Sequence, residues 1–181
     1  MKRTILSLAI VTISMIAFAQ KKTSTSATIA FDASTAIDDL PKAENKTAIA
    51  AIDPEKNTVQ FEAAIKNFTF SNPRIQDHFN QKGWLNSDEF PKAIFNGVIT
   101  NPADVNFKKD GTYTVNVEGE LTIKGKTQKV TTPATIVVAG KTLKTNATFN
   151  IKLADFGVEG QSITAGKVSG EPKITVAAEL N

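Results

Sequence analysis

The sequence predicts an all-β domain of about eight antiparallel strands with one short helical insert, closed into a barrel or doubled into a sandwich. Three observations carry this reading. Residues 20–181 contain 20 Thr, 13 Ile and 11 Val against only 6 Leu, and stiff β-branched side chains suit a pleated sheet better than a helix. Apolar and polar residues alternate with period two over long runs, as in strands with one wet face. Short turn signals separate these runs, so consecutive strands are antiparallel. A sheet that is apolar along one side must close or fold over to bury that side.

Along the chain, Thr28–Phe31, Thr47–Ile52, Thr58–Asn67 and Ile94–Thr100 are the first four strand candidates. Asp53-Pro54-Glu55-Lys56-Asn57 is the turn between the second and third. Residues 71–93 break the alternation. Pro73–Gln81 is expected as a short helix, and Ser87–Phe90 as a helical turn capped by Ser87. The clearest strand covers 112–123, where odd positions are apolar or glycine and even positions are polar. Lys124-Gly125-Lys126-Thr127 turns the chain into Val130–Val138, where Pro133 marks a bulge or a strand start. Ala139-Gly140-Lys141 leads into 143–153, again alternating, and Lys173–Leu180 is the last strand. The irregular segment 155–170 is rich in glycine.

The N-terminus has a different character. Lys2 and Arg3 precede an apolar run from Ile5 to Phe18, and Ala17-Phe18-Ala19 forms a small-x-small site before Gln20. This pattern predicts a secretory signal peptide over 1–19, cleaved after Ala19, and hence a periplasmic or secreted protein. No cysteine follows the cut to carry a lipid anchor. Residues 20–26 are expected as a flexible start, and 27–181 as a single domain. Without Lys2 and Arg3 the formal charge falls from +3 to +1. The remaining basic residues are interleaved with acids, which argues against a nucleic-acid partner. The domain contains no cysteine, so its core alone must hold it.

Few residues offer chemistry. His78 is the only histidine, so it has neither a second imidazole nor a thiolate beside which to bind a metal, and no nucleophile motif accompanies it. Gly125-Lys126-Thr127 and Gly140-Lys141-Thr142 look like the end of a phosphate loop. Glu120 and Thr135 stand where the earlier glycine would be, and both triplets fall in hairpins. The Asn-x-Thr triplets at Asn45, Asn67 and Asn146 are read as strand polarity. No catalytic residue, metal or cofactor is expected.

Three motifs, in order, point to a family. Asp77-His78-Phe79 lies in the helix, and Phe90-Pro91 with Ile94 and Phe95 opens a strand. Gly119, Leu121, Thr122, Gly125, Thr127 and Val130 lie along one hairpin. Together they resemble the YceI-like family over roughly residues 57–180. The resemblance implies an exported bacterial protein with a lipocalin-like barrel that binds polyisoprenoid or other lipid chains.

On that basis the aromatic residues form the candidate site. An eight-stranded barrel has room for one small ligand. The expected apolar cavity comprises Phe61, Phe68, Phe70, Phe79, Trp84, Phe90, Phe95, Leu121, Phe149 and Ile151. It is lined by the odd faces of 113–123 and 143–153 and closed by Phe79, Trp84 and Phe90. Small inward residues beside large ones (Gly119 by Leu121, Ala147 by Phe149) leave space or fit a taper. Arg74, Asp77 and His78 are the expected mouth, able to meet a ligand headgroup. The leading expectation is a non-enzymatic carrier of a long apolar molecule, an isoprenoid or fatty-acyl lipid. The alternative is a filled barrel serving as a structural or interaction module.

Overall fold

The computed structural model describes residues 21–181; the expected signal segment lies outside them. Nine strands are present: β1 (Lys22–Asp32), β2 (Lys42–Asp53), β3 (Thr58–Ala64), β4 (Thr69–Phe70), β5 (Lys92–Ile99), β6 (Gly111–Ile123), β7 (Lys126–Ala139), β8 (Thr142–Asn150) and β9 (Lys173–Leu180). The sheet runs β1-β9-β8-β7-β6-β5-β3-β2, and a β1–β2 pairing closes it. This is an eight-stranded antiparallel barrel, with β4 added against β2 through Ala43↔Phe70 and Glu44↔Thr69. Closure removes the sheet edges that would otherwise expose unpaired backbone. Of the two arrangements open to such strands, the barrel is the one formed.

The β6–β7–β8 meander follows from local sequence. Its 13-residue β6–β7 ladder keeps one register from Gly111↔Val138 to Ile123↔Lys126. The loop between them has two residues, Lys124 and Gly125, both with positive φ (50° and 71°). A two-residue hairpin favours such left-handed residues, and glycine takes this conformation without steric cost. Val115, Val117 and Leu121 on the odd face are buried, and Thr114, Asn116 and Glu118 are exposed.

Pro133 neither begins β7 nor bulges it. It sits mid-strand opposite Asn116, at the point where the β7–β8 ladder stops at Ala134↔Ala147. Proline has no N–H to continue that ladder. The Thr132 hydroxyl instead faces the Thr148 carbonyl at 3.3 Å, sharing its proton with the Pro133 carbonyl at 3.1 Å.

Elsewhere the strands depart from expectation. The segment read as flexible is part of β1 from Lys22 onward, pairing with β2 from Lys22↔Ile52 to Asp32↔Lys42. Register shifts between Ser24 and Ala27 and between Ala27 and Ile29 break its alternation, so Ser24 and Ala27, three residues apart, are both buried. β2 likewise begins five residues before the expected Thr47. There Asn45 is fully buried: its Nδ2 donates to the Ala64 carbonyl (2.9 Å), and its Oδ1 accepts from the Thr47 N–H (2.8 Å). This side chain ties β2 to the end of β3. The last three residues assigned to β3, Ile65–Asn67, form a 3-10 turn instead. The run 143–153 divides similarly: β8 ends at Asn150, and Leu153–Phe156 is a 3-10 turn that buries Leu153 and Phe156.

Chain direction puts the two longest connections at one end. Residues 33–41, 65–91, 124–125 and 151–172 all leave the same rim, while 54–57, 100–110 and 140–141 leave the other. The long-connection rim carries α1 (Pro73–Asn80) and the single turn α2 (Gln161–Thr164). α1 starts as its sequence dictates, with the Asn72 side chain accepting from the Arg74 N–H (3.0 Å) and Pro73 in the first turn. Ser87 does not cap the turn that follows. The Asn86 carbonyl accepts the Glu89 and Phe90 N–H groups, and Asn86 takes a positive φ of 49°. The Ser87 hydroxyl faces the Asn80 carbonyl, tying this turn to the end of α1.

Candidate ligand-binding site

The inward faces of the barrel enclose an apolar cavity of about 130 Å³ that reaches α1. Every strand of the closed barrel contributes, because each places alternate side chains inside. Among the lining residues only Thr132 and Thr145 carry a polar side chain, and the Thr132 hydroxyl is already bonded to the Thr148 carbonyl. The 3-10 turn after β8 adds Leu153 and Phe156, with Val158 behind it. Lys124 Nζ holds this turn by donating to the Gly157 carbonyl at 2.9 Å.

Phe79 on α1 lies at the centre of an aromatic group between the cavity and the helix. Its ring is 5.6 Å from Phe31, 5.7 Å from Phe68 and 4.9 Å from Phe70, all tilted or edge-on. Such pairs are favoured by ring quadrupoles beyond their area burial. On the far side of this group lies a second hollow of about 310 Å³, lined by α1 and by parts of 33–41 and 161–168. Phe31, Phe79 and Trp84 line both spaces.

Of the residues expected to form the cavity, Phe61, Phe68, Phe79, Trp84, Phe95, Leu121, Phe149 and Ile151 line the inner space. Phe70 lines the outer hollow alone. Phe90 lines neither; its ring lies over the β6–β7 hairpin, where a Cβ on Gly125 would come within 2.8 Å of it. The expectation that Phe90 helps close the cavity is therefore corrected, because its ring is placed against the Gly125 turn. Arg74 and His78 line the outer hollow, four residues apart on one helix face. Asp77, on another face, lines neither space and is exposed.

Sequence reasoning missed Phe31, which touches Phe70 and Phe79 from β1. The bulges just before it hid the period-two signal that would have found it. It also missed Lys167 and Ser162 at the outer hollow, since nothing local shows that a glycine-rich loop folds back on α1.

Gly119 does not open space for a ligand. It sits directly opposite Gly97 on β5, and the Phe95 ring covers both. A Cβ on Gly119 would lie 2.6 Å from Phe95 Cζ and 2.4 Å from the Asn96 carbonyl oxygen. The glycine pair thus lets a large ring lie flat on the inner wall.

The profile of the YceI-like domain matches residues 13–180. The chain belongs to the YceI-like domain family. The match reaches well before the three sequence motifs and includes β1 and β2. Among solved structures, BcnA of Burkholderia cenocepacia is similar at 25% identity and a TM-score of 0.70, over 86% of this chain and 96% of that one. A polyisoprenoid-binding domain from Saccharophagus degradans, implicated in plant cell wall breakdown, superposes with a TM-score of 0.74 at 11% identity, covering 89% and 97%. The Campylobacter jejuni YceI protein gives 0.55 at 16% identity, covering 99% and 89%. These last two likenesses speak to fold alone. No curated protein sequence matches the chain. Among the described residues no helix is long and apolar enough to cross a membrane.

Proposed function

We propose that this YceI-like protein is an exported, non-enzymatic carrier of a long apolar molecule of polyisoprenoid or fatty-acyl type. The carrying observation is the nearly unbroken apolar lining of the barrel interior, which shares Phe31, Phe79 and Trp84 with a second hollow. Burying apolar chain stabilises by about 0.8 kcal/mol per CH₂, so affinity needs few polar contacts. Size supports an occupant that uses both spaces. Sites for drug-sized ligands run about 300–1,000 Å³, more than the 130 Å³ inner cavity and comparable to the two spaces together. Membership of the family and the likeness to a polyisoprenoid-binding domain support the same class of ligand. The N-terminal basic-apolar-small pattern supports export to the periplasm or beyond.

Native mass spectrometry of the protein purified from its host tests the reading. A retained species heavier by the mass of a lipid is the expected result. A clean apo mass, with no uptake of added prenyl or acyl chains, would favour the filled-barrel module.

A further inference from the structure

We propose that the floor of the inner cavity reads a polar group, so that the cargo is a chain whose deep end carries a neutral hydroxyl or carbonyl in place of a bare methyl. This rests on the carrier reading and adds the chemistry of the buried end. Two hydroxyls line the inner cavity, those of Thr132 and Thr145. The Thr132 proton is committed to the carbonyls of Pro133 and Thr148, at 3.1 and 3.3 Å. The Thr145 hydroxyl has no hydrogen-bond partner among the described residues. Nor is it sealed off by its neighbours: among the described residues, Asn80 Oδ1 is the side-chain polar atom that is both fully enclosed and unpartnered. The free donor and acceptor of Thr145 therefore face the space that the residue lines.

Its place in the barrel makes this the floor. Thr145 pairs with Ile136 on one side and Ala178 on the other. One rung further, Val138, Leu143 and Leu180 close the section and line neither space. From Thr145 the lining runs through Ala147 and Phe149 to Ile151, about 20 Å of extended chain. Alternation asks for an inward residue at 145 but not for a hydroxyl. Valine has the same shape and suits a strand as well. Threonine instead leaves a hydroxyl unmet among apolar walls, which is a cost unless an occupant meets it. A hydroxyl or carbonyl on the ligand supplies that partner. An ionised group is excluded, because one neutral hydrogen bond does not replace its hydration. A chain with one charged end therefore enters with its other end toward Thr145.

That direction gives the test. Trp84, the only tryptophan, lines the same cavity, and its emission follows binding. The purified protein is titrated with decanoate, dodecanoate, tetradecanoate and hexadecanoate, and with the same acids hydroxylated at the terminal carbon. In the parent, the hydroxylated acid is expected to bind at least as tightly as the plain one at the chain length that reaches the floor. In T145V this preference is expected to fall about tenfold or more, because the ligand hydroxyl is then buried unpaired. The plain acid is expected to bind T145V as well as before or better, which also shows that the barrel is intact. T145S keeps the hydroxyl and is expected to hold the preference; T145A is expected to lose it. This second pair decides the matter if valine disturbs the fold. A parent that rejects the hydroxylated acid at every length, or a preference indifferent to the hydroxyl at 145, would overturn the polar floor and leave the carrier reading standing. No response to any of the acids would remove the fatty-acyl carrier reading on which the proposal stands.

Discussion

The two ends of the barrel are built from the same alternating strands, yet only one holds space. At the short-turn end, Val138, Leu143 and Leu180 fall on one rung across β7, β8 and β9 and are 2% exposed or less. Val105 tucks in from the connection 100–110. None of these four lines either space. Branched aliphatic side chains of similar length meet across the barrel and interdigitate to crystal-like density. At the other end the inward residues are unequal, with Phe61, Phe95 and Phe149 near Ala63, Ala93 and Ala147. Rings and methyl groups do not fill the section evenly. A helix and two long connections cover the opening beside the β6–β7 hairpin turn. The comparison shows that a binding cavity needs no special strand pattern. It needs a mismatch of side-chain sizes and a cover that is not itself part of the sheet.

The strongest way to break the comparison is Gly119→Val. The new side chain meets the Asn96 carbonyl, Gly97 Cα and the Phe95 ring, all within 2.6 Å of its Cβ. The expected loss is more than about 3 kcal/mol of stability, because backbone and not a flexible tip is in the way. An unchanged denaturation midpoint would refute the inward register of β6.

Two substitutions sharpen the contrast between the ends. Leu180→Ala, at a fully buried position of the packed end, should cost about 3 kcal/mol and leave ligand affinity unaltered. Phe149→Lys, at the cavity end, should weaken binding of a neutral prenyl alcohol about 100-fold, because it puts an unpaired charge in an apolar space. Circular dichroism must show its strands retained. A folded Phe149→Lys variant that binds like the parent would remove the cavity assignment.

A smaller effect is expected at the seam between the ends. Thr132→Val keeps side-chain volume but strips the Thr148 carbonyl of the hydroxyl that replaces the missing Pro133 donor. A loss of about 1 kcal/mol is expected in urea unfolding.

The smallest effect concerns Asp32, at the rim where β1 meets β9. Burial pushes its carboxyl up, but the Ser34 hydroxyl and N–H, with the Lys42 and Lys173 charges, outweigh this and hold it below the usual value. A depressed folded pKa contributes stability that is present above the unfolded value near 3.9 and lost as pH falls through the folded one. Asp32→Asn should therefore cost about 0.5 kcal/mol at pH 7. The difference from the parent should shrink as pH falls below about 4 and be lost only below the depressed folded value. A cost that stays constant down to pH 3 would show that the charge is not its source.

Legibility in the sequence followed the distance over which each feature is decided. β6, β7 and β8 alternate without interruption, and their hairpin loops carry the left-handed glycines they need. α1 was visible as a helix from Pro73 because the alternation breaks over 71–93. Only the end of β1, Thr28–Phe31, was legible, because two register shifts before it move the inward positions off an even spacing. Eight of the ten residues named for the cavity line it, Leu121 and Phe149 among them read from alternation, whereas Phe90 was misplaced and Phe31 missed.

By itself the sequence determined the strand class, the inward faces of the central meander and the apolar character of the interior, because period-two burial and turn chemistry act between near neighbours in the chain. The tertiary structure alone decided that β1 closes the barrel against β2 and β9, that Phe95 lies over the Gly97–Gly119 pair, and that Phe31, Phe79 and Trp84 divide two spaces. Each of these joins residues far apart in sequence, and which of them meet is settled only when the whole sheet twists into a closed section with a fixed stagger.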